Sequence, residues 1–277
     1  MRYGWSMPAV ALTIAGSDPS GGAGIQADLK TFHQFGVYGE AVITLLTVQN
    51  SQTVSQVEVL SADLVAQQIQ AVAADIPPNA AKTGALGSIE IVEAVAQLAG
   101  KFSFPLVVDP VMVSKPGKRL LSAEAQRALQ QMLFPHAFLI TPNLPETEAL
   151  TGMSIQTEED TADAAERLLD LGCKAVLIKG GHRSGQPDDF LADRDHKMIL
   201  PGTRVTGVHT HGTGCTYSAA ITACLALGHC LDEAVSRAKS YIQRAIQEAP
   251  QLGRGHGPLN HFANTSAPSD PLYRSRR

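Results

Sequence analysis

The chain has 277 residues, a net charge of −4 and an isoelectric point near 6.1, and 44% of its residues are hydrophobic. This composition supports a sizeable core and provides no basic surface for nucleic acid. No run of about 18 uninterrupted apolar residues marks a membrane span, and the opening residues lack a signal-peptide pattern. The four cysteines show neither zinc-ligand nor CxxC spacing. We therefore expect a cytoplasmic protein with reduced thiols and without nucleic-acid or membrane partners.

Short β-branched runs alternate with helical patterns along most of the chain. The predicted strands cover residues 10–15, 41–48, 80–83, 105–112, 138–141 and 175–179. The predicted helices cover residues 23–35, 62–74, 89–99, 123–133, 146–150, 162–171, 215–227 and 232–247. This alternation indicates an α/β fold whose mostly parallel sheet is covered on both faces. Residues 190–205 predict a hairpin at an antiparallel edge of that sheet.

The domain organisation follows from the same pattern. One domain is expected over residues 9–257, preceded by an N-terminal extension at 1–8. Residues 258–277 are rich in Pro, Ser and Asn and have no periodic pattern, which predicts a partly disordered tail.

Ligands of open parallel sheets bind beyond the carboxyl ends of the strands, so the segments that follow strands are informative. Residues 15–30, AGSDPSGGAGIQADLK, predict a strand end, a glycine-rich turn and a helix start, but match neither GxxxxGK[ST] nor GxGxxG. Asp28, near the helix start, either accepts hydrogen bonds from a ligand or is solvated. Gln49 ends the next strand and either pairs with a heterocycle or serves as a turn amide.

Charged side chains follow three further strands. Asp109 lies in VVDPVM, and Asn143 and Glu146 lie in TPNLPE, where Asn-x-x-Glu also resembles a capping box. Asp109 and Glu146 are candidates to hold Mg²⁺ through water, because Mg²⁺ takes few protein carboxylates. Lys179 ends another strand, where a lone lysine is usually solvated.

The stretch HTHGTGC predicts an anion site. Gly212, Thr213 and Gly214 offer unpaired N–H groups at the start of a helix that begins at Cys215, which suits a phosphoryl group. The same field predicts a lowered pKa for Cys215, which would then accept a proton or act as a nucleophile. A buried structural cysteine is the alternative. Lys239, on the last predicted helix, is either solvated or adds charge to this site.

Taken in order, six segments closely resemble the bacterial hydroxymethylpyrimidine and phosphomethylpyrimidine kinases of thiamine biosynthesis, in the ribokinase superfamily. They are LTIAGSDPSGGAGIQADLKTF, AAKTGALG, VVDPVM, ITPNLPE, LIKGGH and THGTGCTYSAA. The resemblance spans residues 9–257. It implies a ribokinase-like three-layer α/β/α sandwich, ATP with Mg²⁺, and a homodimer. It also implies two successive phosphorylations of 4-amino-5-hydroxymethyl-2-methylpyrimidine at one site.

The resemblance further implies roles for individual residues. The pyrimidine pocket would be lined by Gly16, Asp28, Gln49, Ala85 and Val111. The nucleotide and its metal would be contacted by Asn143, Glu146, Lys179 and His211, with Asp109 nearby. The anion hole would be formed by Gly212, Thr213 and Gly214, with Lys239 neutralising phosphate. Cys215 stands where most ribokinase relatives have an aspartate base, a departure that points to the pyrimidine branch.

Three alternatives stay open. Ala85 stands where some family members have a methionine against the ring, and the roomier pocket is compatible with a pyridoxal kinase of the cysteine-containing subgroup. A non-catalytic protein that senses the pyrimidine is an alternative of a different class, since fold alone does not decide activity. A cysteine hydrolase would need a histidine base, for which His209 and His211 are candidates that require geometry.

Overall fold

A nine-stranded sheet runs through the middle of the molecule. The computed structural model describes residues 7–113, 117, 120–182, 185–205 and 209–266. The strands of the described residues are β1 (Val10–Ser17), β2 (Tyr38–Gln49), β3 (Val54–Val59), β4 (Ala80–Thr83), β5 (Leu106–Val108), β6 (Leu139–Ile140), β7 (Ala175–Ile178), β8 (Asp189–Asp193) and β9 (Lys197–Leu200). Their order across the sheet is β3-β2-β1-β4-β5-β6-β7-β8-β9.

The pairing directions divide this sheet into a parallel centre and antiparallel edges. Neighbouring strands from β2 through β1, β4, β5 and β6 to β7 are parallel. β8 and β9 form the predicted antiparallel hairpin at one edge. β3 pairs antiparallel with β2 at the other edge and was not predicted. Its sequence VSQVEV is half-buried or exposed, so backbone pairing rather than an apolar run holds it in the sheet.

Helices cover both faces of the sheet. They are α1 (Gly24–Gln34), α2 (Ala62–Asp75), α3 (Ile89–Ala99), α4 (Ala123–Ala128), α5 (Leu144–Thr151), α6 (Glu158–Leu169), α7 (Thr213–Ala226) and α8 (Leu231–Gln247). The helix predicted over 123–133 is α4 followed by a π-helical turn, Leu129–Leu133. Several helices begin where the sequence has a capping side chain: Ser61, Ser88 and Ser122 each accept a hydrogen bond from a backbone N–H in the first turn.

Two buried clusters fill the space between the layers. One joins the sheet to α2 through α6, and the other joins it to α1, α7 and α8. This arrangement confirms the predicted three-layer α/β/α sandwich with a mostly parallel sheet. None of the helices in the described residues is long and apolar enough to cross a membrane.

Part of the segment expected to be disordered is packed. Leu259 and Ala263 are buried against the layer of α1, α7 and α8, and the Asn260 N–H donates to the Ala245 carbonyl oxygen. Apolar burial and backbone pairing therefore hold residues 258–266. Residues 267–277 of the predicted tail and 1–6 of the predicted N-terminal extension lie outside the described residues.

Candidate active site

Two helix starts meet at the carboxyl edge of the parallel strands. α7 begins at Thr213, two residues earlier than predicted, with Gly212 as its N-cap at φ +78°. Its first intrahelical hydrogen bond runs from the Thr216 N–H to the Gly212 carbonyl over 2.8 Å, so Gly214 and Cys215 have N–H groups without a partner inside the helix. A Cβ at Gly212 would collide with the Gly22 carbonyl oxygen. The two glycine-bearing turns therefore touch backbone to backbone, which only glycine permits here.

Cys215 lies in the crevice between α7 and α1. Burial raises the pKa of its thiol to about 11, although Lys82 and a hydrogen bond from the Gly24 N–H lower it. The expected depression of this pKa is therefore wrong, because the lost hydration penalises the thiolate more than the nearby positive groups favour it. At neutral pH, Cys215 is a thiol in this structure.

A buried ion pair lies beneath this crevice. Lys82 Nζ is 2.8 Å from Asp28 Oδ1, and neither side chain is exposed. Thr13 donates its hydroxyl to Asp28 Oδ2 over 2.7 Å. Asp28 is therefore not solvated, and both of its oxygens are already engaged; burial raises its pKa and Lys82 opposes this. Lys82 was missed in the sequence, where its signal is a charged residue inside the otherwise apolar β4.

A second pair lies under the first turn of α7. Lys179 Nζ is 2.9 Å from Asp109 Oδ1, and the lysine side chain is only 13% exposed, so it is not a solvated lysine. A Cβ placed on Gly214 would lie 3.4 Å from Lys179 Nζ and 3.5 Å from Asp109 Oδ2. The Ser218 hydroxyl is 3.4 Å from Asp109 Oδ2. The predicted anion site thus has a mostly buried ammonium directly beside it.

The capping box at α5 is confirmed. The Glu146 N–H donates to Asn143 Oδ1 over 2.9 Å, and the Asn143 N–H donates to Glu146 Oε2 over 2.8 Å. Burial raises the pKa of Glu146 to about 7, Lys179 lowers it, and the like charge of Asp109 raises it. Both residues that the sequence suggested for Mg²⁺ therefore lie close enough to repel each other.

These two carboxylates fit a magnesium ion. The described residues hold no group of three His, Cys, Asp or Glu side chains suited to a metal. Mg²⁺ takes one or two carboxylates and keeps several waters, so it does not need such a group. A divalent cation between Asp109 and Glu146 would remove the repulsion that raises the glutamate pKa.

Lys239 belongs to a third buried pair at the same edge of the sheet. Its Nζ lies 2.7 Å from Asp189 Oδ2 and 2.8 Å from the Pro187 carbonyl oxygen. The Tyr217 hydroxyl donates to the same Asp189 oxygen over 2.9 Å. The reading of Lys239 as a solvated helix lysine is wrong, since the residue is 6% exposed. Its role in neutralising a phosphate stays a prediction.

A polar chain joins the end of β2 to the segment before α7. Gln49 Nε2 is 3.1 Å from His211 Nε2, which in turn is 2.8 Å from Asp18 Oδ2. Asp18 was missed in the sequence, where its signal is an Asp-x-Ser turn directly after a strand. Because the contacts of His211 are to Gln49 and Asp18, the structure assigns it no bond to Cys215 within the described residues. The contacts of His211 therefore do not support it as the base of a cysteine hydrolase.

The remaining predicted pocket residues lie on neighbouring strand ends. A Cβ on Gly16 would be 2.6 Å from Leu45 Cδ1, and the Ala85 carbonyl accepts the Thr44 hydroxyl over 2.6 Å. A small cleft beside them is lined by Gly84, Leu86, Asp109, Pro110, Val111, Leu121 and Leu129. The ends of β1, β2, β4 and β5 thus converge, and Val111 and Asp109 share one cleft.

The mostly parallel sheet lies between two helical layers, and a helix begins over Asp–Lys pairs at the carboxyl edge of the sheet. These features define a ribokinase-like α/β protein. Comparison with known families is more specific. The model of the phosphomethylpyrimidine kinase family matches residues 18–260, and the chain belongs to this family.

Individual relatives agree with this assignment. The chain is 44% identical to the hydroxymethylpyrimidine/phosphomethylpyrimidine kinase of Bacillus subtilis, over 91% of this chain and 94% of that protein. It is 49% identical to the thiamine biosynthesis bifunctional protein ThiED of Geobacter sulfurreducens over 91% of this chain, but spans only 52% of that longer protein. The solved structure of an ADP complex of Bacillus subtilis pyridoxal kinase superposes with a TM-score of 0.86 at 39% identity, covering 93% of this chain and 98% of that one.

Proposed function

We propose that this chain uses ATP to phosphorylate 4-amino-5-hydroxymethyl-2-methylpyrimidine to its monophosphate and then to the diphosphate. The observation that carries the proposal is the start of α7, where the N–H groups of Gly214 and Cys215 have no partner inside the helix and Gly214 lies beside the mostly buried ammonium of Lys179. Membership of the phosphomethylpyrimidine kinase family supports the choice of reaction and acceptor. The relative solved as an ADP complex supports nucleotide binding.

The phosphate side of the proposed site combines backbone dipoles with charge. The amides of Thr213, Gly214 and Cys215 point out of the helix start and would receive phosphoryl oxygens. The Thr213 N–H is also 3.4 Å from the Thr210 carbonyl, which leaves the other two amides more available. Lys179 and Lys239 would add positive charge, while Asn143 and His211 complete the expected nucleotide contacts. Mg²⁺ held by Asp109 and Glu146 would neutralise charge on the transferring phosphate.

On the acceptor side, the protein itself forms no covalent bond with the substrate. The hydroxymethyl oxygen attacks the γ-phosphorus as the bond to the ADP oxygen breaks, and the hydroxyl proton passes to water or to a product phosphoryl oxygen. In a loose transition state this proton leaves late, so positioning and charge provide most of the rate. A thiol whose pKa is raised to about 11 is already protonated at neutral pH. We therefore assign Cys215 to holding the hydroxyl in line rather than to general-base catalysis.

The ring would lie among the converging strand ends. Gln49 offers its amide to a ring edge, while Gly16, Ala85 and Val111 provide close, mostly apolar walls. Asp28 is held beneath this pocket by Lys82 and acts on it through charge and packing rather than through a free oxygen.

Pyridoxal phosphorylation is the second candidate. Two observations favour it: the TM-score of 0.86 to Bacillus subtilis pyridoxal kinase, and the small side chain of Ala85 where some family members have a methionine. Pyridoxal also carries a hydroxymethyl group on a planar nitrogen heterocycle, so the same phosphate side would serve it.

The test is ADP formation by the purified protein with ATP and Mg²⁺. The acceptors are the hydroxymethylpyrimidine, its monophosphate, pyridoxal and none. We expect turnover of the first two, its collapse in Cys215→Ala, and its retention in Cys230→Ala, which changes an exposed cysteine instead. Preference for pyridoxal would establish the second candidate. Tight pyrimidine binding without turnover would refute the kinase and leave a sensor.

Assembly as a homodimer is a further part of this proposal. β2 exposes three large apolar side chains, Tyr38, Leu46 and Val48, at 52%, 45% and 57%. Leu46 and Val48 stand two residues apart on one face of the strand, and such neighbouring apolar side chains suit a covered surface. Light scattering should give twice the chain mass, and a monomeric mass at micromolar concentration would contradict the prediction.

A further inference from the structure

The hydrogen bonds that join Asp18 to His211 and His211 to Gln49 are separate from the nucleotide and ring contacts proposed for His211 and Gln49. Asp18 and His211 are 4% and 7% exposed, so water does not separate them. The imidazole also packs against the glycine-rich turn, since a Cβ on Gly22 would lie 2.6 Å from His211 Cδ2. The histidine ring is therefore held in place from two sides.

Asp18 is an anion in this setting. Its Oδ1 accepts the Ser20 N–H over 2.8 Å and the Ser20 hydroxyl over 2.7 Å, and its Oδ2 accepts the Ala23 N–H over 2.9 Å. Burial raises the pKa of Asp18, but hydrogen bonds from His211 and Ser20 outweigh it and bring the pKa below its ordinary value. A carboxylate has no proton to donate, so His211 Nε2 must carry the hydrogen that joins the two. This holds whether or not Nδ1 is also protonated.

The proton on His211 Nε2 decides how the Gln49 amide is turned. The amide end of Gln49 lies 3.1 Å from the same Nε2, and two N–H donors cannot bond to each other. The oxygen and nitrogen of an amide exchange places when the group rotates by half a turn, so the hydrogen-bond network assigns them. The oxygen therefore faces His211 and shares the Nε2 hydrogen with Asp18, and the NH2 group faces away. The opposite end of the amide has no other partner in the described part of the chain.

We infer that Asp18 and His211 are positioning residues that turn the Gln49 oxygen towards the imidazole and the NH2 group away from it. In the proposed function, in which Gln49 contacts the ring, the site then selects a ring that presents a hydrogen-bond acceptor to this NH2 group. A ring nitrogen satisfies this NH2 donor, whereas a ring C–H or N–H leaves it unpaired. The specificity rests on the proposed function, but the orientation of the amide does not.

The orientation can be tested without substrate. The ¹⁵N shifts of the His211 imidazole report which nitrogen is protonated, and we expect a protonated Nε2 in the wild-type protein. Asp18→Asn removes the charge that requires this proton and should change the distribution between the two nitrogens. An unprotonated Nε2 in the wild-type protein would overturn the inference.

Specificity is tested with analogues of the aminopyrimidine in which one ring nitrogen is replaced by C–H. For the analogue altered at the Gln49 edge, kcat/KM should fall about tenfold, as expected for the loss of one hydrogen bond. In Asp18→Asn and His211→Phe the ratio between substrate and analogue should approach one. Ser20→Ala is the matched control, because it removes another bond to Asp18 but keeps the His211 contact, and it should keep the wild-type ratio.

Gln49→Glu provides a variant of the same shape that does not alter the histidine. Its carboxylate accepts from His211 but offers no donor to the ring, so preference for the ring nitrogen should be lost while circular dichroism stays native. If the ratio is the same in wild type, Asp18→Asn and Gln49→Glu, the inference is wrong. If wild type phosphorylates neither pyrimidine but shows the protonated Nε2, the proposed function fails and the amide orientation stands.

Discussion

Replacing Lys82 by methionine deletes the ammonium of the buried pair beneath Cys215 and keeps most of the side-chain volume. Asp28 would then keep only the Thr13 hydroxyl among the partners described here, at a site with no exposure. Breaking a buried ion pair by removing one partner costs about 3–5 kcal/mol, because the other charge stays desolvated. We expect Lys82→Met to lower the free energy of unfolding by about that amount.

Removing both charges should lower the free energy of unfolding far less than removing Lys82 alone. In Lys82→Met/Asp28→Leu no uncompensated charge remains, and such apolar replacements of buried pairs are often neutral or stabilising.

The loss of stability in the single variant Lys82→Met should also depend on pH. Burial already raises the pKa of Asp28, and without Lys82 it rises further. A carboxyl whose pKa is raised in the folded state binds its proton more tightly when the protein is folded. The loss of stability in Lys82→Met should therefore grow as pH rises from the ordinary aspartate pKa to the raised one, and shrink as pH falls.

Urea unfolding followed by circular dichroism gives these free energies. The control is Arg127→Met, which breaks an ion pair with Glu124 whose side chains are 61% and 64% exposed. Exposed pairs contribute little, so this variant should stay close to wild type. If Lys82→Met destabilises no more than Arg127→Met, or if the double variant is as unstable as the single one, the reasoning about uncompensated burial is refuted.

Two further predictions concern protonation. In a Cys230→Ser background, alkylation of Cys215 by iodoacetamide should accelerate with pH towards its pKa of about 11, and an inflection near neutral pH would reveal a thiolate instead. Burial lowers the pKa of His261 from 6.5 to about 4, so stability should be lost as pH falls between these values, by about 3 kcal/mol. His261→Gln should flatten this loss in acid unfolding curves, and equal slopes in both proteins would contradict the assignment.

The elements that the sequence predicted best depend on local interactions. β4 and α3 have the predicted bounds, because a short buried run and a serine-capped amphipathic segment carry their own signals. β3 was missed since its few apolar residues are not what holds it in place. Residues 258–277 were expected to be partly disordered, and within them Leu259 and His261 are buried. In both cases the stabilising partner is distant in the sequence and leaves no local pattern.

The site divides in the same way. The sequence alone determined which segments carry chemistry, because a glycine-rich helix start, strand-end carboxylates and a capping box are each encoded within a few residues. Only the tertiary structure decided that Lys82 pairs with Asp28, and that Asp18 meets His211 across 193 positions of chain. It also decided the protonation of Cys215. A helix start by itself favours the thiolate, but the pKa depends on the water removed by every element packed around the sulfur, and desolvation is a property of the assembled fold.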